Sequence, residues 1–64
     1  MMGPEEILEK AREMERDAIK IYTEMKKNAD HETSELLDYL INQEKEHLRM
    51  ISERLKALRI IKRK

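Results

Sequence analysis

The order of apolar and polar residues divides the chain into two long helical segments. The single Gly and the single Pro stand together at Gly3 and Pro4, and a Pro followed by Glu5 and Glu6 is typical of a helix start. No helix breaker follows until the polar run "NADHETS" at 28–34, which is rich in turn and cap residues such as Asp30 and Thr33. The pattern predicts a first helix over about 4–27, a turn over about 28–33 and a second helix over about 34–61.

Both helices carry an apolar seam with the alternating spacing of three and four residues that helical bundles use. The first seam consists of Leu8, Ala11, Glu15, Ala18, Tyr22, Met25 and Ala29, and the second of Leu37, Leu40, Glu44, His47, Ile51 and Leu58. A short connection between long helices produces an antiparallel hairpin. We therefore expect an all-α fold with a single helical-hairpin domain over residues 1–64.

Each helix also has a second apolar stripe beside its seam. The stripes are Ile7, Met14 and Ile21 in the first helix, and Ile41, Leu48 and Leu55 in the second. One hairpin partner cannot cover two stripes per helix, and a chain below ~70–80 residues rarely stabilises itself with one core. The expectation is a homo-oligomer, at least a two-fold dimer, in which two hairpins form a four-helix bundle.

Three ionisable residues, Glu15, Glu44 and His47, interrupt the middle of the two seams. If the turn centres near residue 30, Glu15 lies 15 residues before it, and Glu44 and His47 lie 14 and 17 residues after it. The three side chains then meet at one height, where a buried carboxylate must protonate, pair or bind a metal. A dimer would unite four carboxylates and two imidazoles, which two divalent Fe, Mn or Zn ions would neutralise and ligate.

Each of these residues also has a plainer interpretation when taken alone. Glu is abundant in the chain, so the spacing of Glu44 and His47 is a weak signal by itself. Glu15 could reach water from the edge of the seam, and His47 could be a hydrogen-bonded core histidine. Tyr22 either donates a hydrogen bond to a ligand carboxylate or packs with a wet hydroxyl. His31 falls in the predicted turn and is interpreted as a loop residue.

Composition excludes several other classes of protein. The 14 basic and 14 acidic side chains balance, which argues against nucleic acid or an anionic membrane as the main partner. No apolar run approaches the ~18 residues of a membrane span, and no signal peptide is present, so we expect a soluble, cytoplasmic protein. The absence of Cys excludes disulfides, thiolate zinc sites and iron–sulfur clusters.

The segments "EMERDAIKIYTEM" and "ELLDYLINQEKEHLRMI" resemble the ferritin-like di-iron carboxylate proteins, particularly the rubrerythrin and encapsulated-ferritin branch. The resemblance covers roughly residues 7–58. It implies that Glu15 is the carboxylate ligand of the first helix and that Glu44 and His47 form the Glu-x-x-His ligand pair. It also implies that Tyr22 hydrogen-bonds a ligand, and that the site binds two irons and oxidises Fe(II) with O₂ or peroxide.

The chain also departs from that family. Members typically carry four helices in one chain, so a two-helix chain would form the site between subunits. Without Cys it lacks the electron-passing iron module of rubrerythrins, and no docking extension follows "IIKRK". Peroxide reduction would need an external electron donor, and iron storage would need a separate shell. Two alternatives stay open: a structural zinc or manganese site, and a metal-free helical-hairpin dimerisation or interaction module.

Overall fold

The computed structural model describes residues 2–62, and two helices contain nearly all of them. Helix α1 spans Pro4–Lys26 and helix α2 spans His31–Lys62, with no strand in the described range. The helices pack as an antiparallel hairpin with principal extents of 51 × 20 × 13 Å. The predicted all-α hairpin is confirmed. Neither α1 nor α2 combines the length and the apolar character that crossing a membrane requires.

The start of α1 follows the predicted chemistry. Gly3 is extended, Pro4 opens the helix, and Glu5 and Glu6 lie in the first turn, near the positive end of the helix dipole. The Gly3 carbonyl accepts a hydrogen bond of 3.0 Å from the Ile7 amide, which closes the first helical turn. A Pro at this position loses nothing, because its missing N–H would have had no partner within the helix.

The turn is shorter than predicted, and the second helix begins three residues earlier. The Asp30 carbonyl accepts a hydrogen bond of 2.8 Å from the Ser34 amide, so Asp30 occupies the cap position and His31 opens α2. The polar residues of "HETS" therefore form the first helical turn, where Glu32 faces the positive dipole end. The predicted turn limit at residue 33 and the interpretation of His31 as a loop residue were wrong for this reason.

The contact between the helices includes most of the predicted seam positions, but two of its three buried residues, Ile41 and Leu55, come from the flanking stripe of α2. The three buried residues, Leu37, Ile41 and Leu55, all belong to α2, and Leu55 has no exposed surface. The remaining seam positions are half-buried, apart from Met25, which is 53% exposed. Ile19 and Lys26 are half-buried on the other edge of α1, so the helix is rotated slightly away from the predicted line.

The second apolar stripes of the two helices differ in their exposure to solvent. On α1, Ile7, Met14 and Ile21 are exposed by 53, 61 and 54%, as expected of a stripe that the hairpin cannot cover. On α2, Ile41 and Leu55 are buried and Leu48 is half-buried, so the expectation that this stripe would remain uncovered was wrong. Around the α2 axis, these positions lie only about a sixth of a turn or less from the predicted seam positions 37, 44, 51 and 58. Helix α1 therefore covers the stripe together with the seam.

Ion pairs join the helices near both ends of the hairpin. Lys26 pairs with Asp38 beside the turn, and Arg59 pairs with Glu9 at 3.1 Å and with Glu5 at 3.9 Å at the open end. These side chains are half-buried to exposed, with 23–54% of their surface accessible, so each pair contributes at most about 1 kcal/mol. Together they fix the antiparallel alignment that sets the height of residues in the middle of the hairpin.

Candidate metal centre

Glu15, Glu44 and His47 meet at one level in the middle of the hairpin. Glu15 projects from the middle of α1 toward α2, while Glu44 and His47 are neighbours on one face of α2 because they are three residues apart. One ligand atom of each residue lies within 4.8 Å of the corresponding atom of the other two. The meeting of all three side chains, which the sequence predicted from their distance to the turn, is confirmed.

The spacing between these atoms is longer than that of hydrogen bonds and slightly wider than that of a closed coordination shell. His47 Nδ1 lies 3.7 Å from Glu15 Oε2 and 3.9 Å from Glu44 Oε2, beyond the usual hydrogen-bond range. Metal–ligand bonds of about 2.1 Å would separate neighbouring ligand atoms by about 3.0–3.4 Å. Small side-chain rotations would therefore close the three groups around one ion.

One carboxylate oxygen at this level has no partner. Glu15 Oε2 is buried and lacks a hydrogen bond, although the Glu15 side chain as a whole keeps 22% of its surface exposed. Leaving a buried charged oxygen unpaired is unfavourable by several kcal/mol, so it calls for a proton or a cation. The donor set of two carboxylates and one imidazole fits a divalent transition-metal ion.

Protonation of His47 would offer a metal-free way to balance the charge. An imidazolium would pair with Glu15 and Glu44 across the same two distances of 3.7 and 3.9 Å. His47 keeps 44% of its side-chain surface exposed, so its charged form would remain partly hydrated. The same small side-chain rotations that would close the groups around an ion would also bring His47 Nδ1 within hydrogen-bond distance of Glu15 Oε2, so either an ion or an imidazolium would satisfy this oxygen.

The other residues singled out in the sequence lie around the site or away from it. Tyr22 is half-buried on the α1 seam, one heptad after Glu15. Within residues 2–62 the hydroxyl makes no hydrogen bond to Glu15, so that role stays a prediction. His31 is exposed at the start of α2 and pairs with Glu35 at 3.0 Å, far from the three ligands.

An exposed charge cluster lies on the outer side of α2, next to the site in sequence. Arg49 donates hydrogen bonds of 2.9 Å to Glu46 and 3.0 Å to Glu53. The Arg49 hydrogen bond and charge lower the pKa of Glu46, and Glu46 in turn raises the pKa of Arg49. The cluster satisfies its own charges, and Glu15, Glu44 and His47 are the group within the described residues that could hold a metal ion.

Comparison with known proteins agrees with this donor set. The family model of rubrerythrin matches residues 6–63, nearly the whole chain and all three candidate ligands. The chain belongs to the rubrerythrin family. It is also 60% identical over 62 residues to an uncharacterized protein of Archaeoglobus fulgidus, a match that covers 97% of this chain and 98% of that protein. No solved structure matched the chain.

Membership of the rubrerythrin family places the hairpin among ferritin-like proteins and suggests that the three-residue group binds iron. The ferritin-like bundle uses single Glu ligands on two helices and Glu-x-x-His pairs on the other two. This hairpin contains one helix of each kind, with Glu15 on α1 and the Glu44–His47 pair on α2. It therefore carries residues of the types that half such a bundle uses as ligands.

The predicted seams missed one feature near the site, which is an exposed apolar edge on α2. Leu36 and Met50 are 56% and 53% exposed and flank His47 along a line that also includes Leu40 and Gln43. The signal was present in the sequence, because 36, 40, 43, 47 and 50 are spaced by four and three residues. The prediction assigned the α2 stripe to Ile41, Leu48 and Leu55 instead.

Proposed function

We propose that this protein binds two iron ions at a site formed between two copies of the hairpin. Its activity would be of the ferroxidase type, the oxidation of Fe(II) by O₂ or peroxide in iron handling or oxidative-stress defence. The observation that carries the proposal is the buried, unpartnered Glu15 Oε2 beside His47 and Glu44. Membership of the rubrerythrin family supports iron as the metal.

Charge supports two ions and two copies. One copy supplies two carboxylates and one neutral imidazole, which leave half of the positions of an octahedral metal ion open. Two copies supply four carboxylates, whose four negative charges two divalent ions balance. Carboxylates are also suited to bridge two ions, whereas each His47 can serve one. Manganese or zinc would satisfy the same donors, with zinc limited to a structural role because it has no redox chemistry.

The protein's own residues would hold, orient and partly shield the site. Glu15 and Glu44 neutralise the ions, and His47 supplies a neutral nitrogen ligand that keeps a position near the surface. When bound, iron supplies the redox chemistry: two Fe(II) deliver the two electrons and peroxide takes them together with two protons to give two waters. Tyr22 is proposed to hydrogen-bond a ligand carboxylate from within the seam.

Repeated turnover requires partners that the site does not supply. The chain has no Cys to hold a second, electron-passing iron module, so sustained peroxide reduction would rely on an external electron donor. A role in storage would rely on a separate protein shell that receives the oxidised iron. Neither role calls for nucleic acid or a membrane as partner, and the cytoplasm remains the proposed location.

Fe(II) binding by ligand variants tests the proposal. Glu44→Ala and His47→Ala are expected to abolish stoichiometric Fe(II) binding in anaerobic equilibrium dialysis, because each removes one of three donors. Glu53→Ala on the outer side of α2 is the matched control, since its side chain is 67% exposed and pairs with Arg49, away from the three candidate ligands. If Glu44→Ala or His47→Ala binds Fe(II) as tightly as the parent protein, the ligand assignment is wrong.

A metal-free dimerisation or interaction module is the second candidate function. The observation in its favour is the position of His47, which could balance Glu15 and Glu44 as an imidazolium. The two functions differ in their response to metal. If Fe(II) or Zn(II) raises the melting temperature of the parent but not of the variant with all three ligands changed to Leu, the metal-free module is excluded.

A further inference from the structure

The ion pairs between the two helices define one flank of the hairpin. Lys26 pairs with Asp38 near the turn, and Arg59 pairs with Glu5 and Glu9 at the open end. With 3.6 residues per turn, the paired residues of each helix fall within about a third of a turn around its axis. We call this side of the hairpin the ion-paired flank.

Four more cations lie on the ion-paired flank, along the stretch between its two groups of ion pairs. Helical geometry places each of them within the same third of a turn as the paired residues of its helix. None of the four makes an ion pair among residues 2–62. We call them the cationic patch: Arg12 and Arg16 on α1, and Lys45 and Lys56 on α2.

The patch makes this flank positive although the chain as a whole is neutral. The carboxylates of the flank, Glu5, Glu9 and Asp38, are already engaged in the ion pairs at its two ends. The acidic side chains beside the patch lie along the outer edges of the helices and pair with other cations. These pairs are Glu13 with Lys10, and Glu46 and Glu53 with Arg49.

The positions of the patch residues are unfavourable for the helices that carry them. Arg12 and Arg16 are four residues apart, a spacing at which like charges repel on a helix surface. Arg12 is half-buried and lies three residues before Glu15, yet the two side chains make no ion pair. An anion bound from outside would remove the repulsion. The patch is therefore suited to binding rather than to stabilising the hairpin.

The shape of the patch favours a protein segment over a nucleic-acid duplex. Lys45 and Lys56 are eleven residues apart, about 16 Å along α2, which is the length of roughly five extended residues. The axes of packed helices lie about 8–10 Å apart, and acidic edges border the patch on both sides. A broad duplex would bring its phosphates against these edges, whereas a single acidic segment fits between them.

We propose that the cationic patch binds an acidic segment of another protein, whose carboxylates pair with the four cations. Ser52 is half-buried between Lys45 and Lys56 on the same side of α2 and adds a hydroxyl donor. The proposal stands apart from the metal function, because the patch contains none of the three candidate ligands. His47 lies on the other side of the seam, so a second hairpin that shares the metal site through His47 leaves this flank open.

Charge reversal tests the patch, with a labelled poly-glutamate peptide as the probe. Arg16→Glu with Lys45→Glu is expected to weaken peptide binding at least about tenfold in fluorescence anisotropy. Lys10→Glu with Arg54→Glu is the matched control, because it reverses one exposed cation on each helix away from the patch. The control should change the affinity by less than about threefold. Binding by the parent protein should weaken with salt, since the Debye length shortens from about 30 Å at 0.01 M to about 8 Å at 0.15 M.

Circular dichroism checks that every variant keeps its helices, and Arg16→Gln with Lys45→Gln removes the charges should the reversal unfold the chain. Equal losses of affinity in the reversal and control variants, or no peptide binding by the folded parent at low salt, would overturn the proposal. Tighter binding of a DNA duplex than of the peptide would overturn it in favour of nucleic acid. An assembly mass that grows at low salt in the parent but not in the reversal variant would overturn it in favour of the acidic edge of another copy.

Discussion

The contact between the two helices is apolar above and below the candidate site, whereas at the site itself it is polar. Toward the open end Leu55 is fully buried, and toward the turn Leu37 and Ile41 are nearly so. Between them the same seam holds Glu15, Glu44 and His47, with a buried oxygen that has no partner. A short hairpin has few core residues to spare, so three polar residues at one level reduce its stability. This difference supports the proposal that the middle level serves binding, while the apolar levels stabilise the fold.

Truncating an apolar level should have the largest effect on stability. Leu55→Ala is expected to lower the free energy of unfolding by about 2–5 kcal/mol, because the side chain is fully buried and a cavity would remain. Urea titration followed by circular dichroism measures the change. Ile60→Ala on the exposed side is the control and should shift stability by less than about 0.5 kcal/mol. Equal effects of the two variants would contradict the assignment of the core.

Making the middle level apolar should raise the free energy of unfolding, opposite to the effect of truncating an apolar level. Changing Glu15, Glu44 and His47 together to Leu is expected to raise the free energy of unfolding of the metal-free protein by about 1–2 kcal/mol, since it replaces half-buried ionisable groups by apolar side chains. The same change should abolish stabilisation by Fe(II) or Zn(II), which for the parent amounts to about 2.7 kcal/mol at a hundred times the dissociation constant. Melting curves with and without metal measure both effects. A loss of stability in the metal-free variant would show that these residues serve folding.

Tyr22 lies on α1 between the level of the candidate site and the apolar level near the turn. Tyr22→Phe keeps the ring in the half-buried seam and removes only the hydroxyl, so helicity and melting temperature should change little. If the hydroxyl supports a ligand carboxylate, Fe(II) affinity should fall by about tenfold. Equilibrium dialysis measures the affinity. Unchanged affinity would assign Tyr22 to packing alone.

The exposed Glu46–Arg49 pair should show the smallest effect. Because Arg49 lowers the pKa of Glu46, the pair stabilises the fold above the ordinary pKa of Glu. This stabilisation is lost as the pH falls through the lowered pKa. Glu46→Gln should therefore slightly lower the melting temperature at neutral pH and leave it unchanged in strong acid, as a pH series of melting curves would measure. A large loss at neutral pH would place this surface pair among the determinants of the fold.

The sequence predicted the site better than the surfaces around it. The height of Glu15, Glu44 and His47 along the hairpin depends only on the number of residues between each of them and the turn. Moving either boundary of the turn by one or two residues still leaves the three side chains at about the same height. Rotation of each helix about its axis is harder to predict, because the apolar positions of α2 form three neighbouring lines. The line with Ile41 and Leu55 turned inward and the line with Leu36 and Met50 stayed exposed.

That rotation depends on the contacts of both helices at once. Lys26 pairing with Asp38 and Arg59 pairing with Glu9 hold one flank of the hairpin together. The spacing of residues within one helix does not determine which flank of the hairpin carries these ion pairs. For the same reason Met25 lay on the predicted seam of α1 and is exposed in the structure.

Metal content measured together with assembly mass tests the central claim most directly. The protein should be purified without chelators and examined by native mass spectrometry, with elemental analysis of the same sample. The predicted result is an assembly of two copies, or a multiple of two, with two iron ions for every two chains. A single chain without metal, or a dimer that stays metal-free after addition of Fe(II), would contradict a shared dinuclear site.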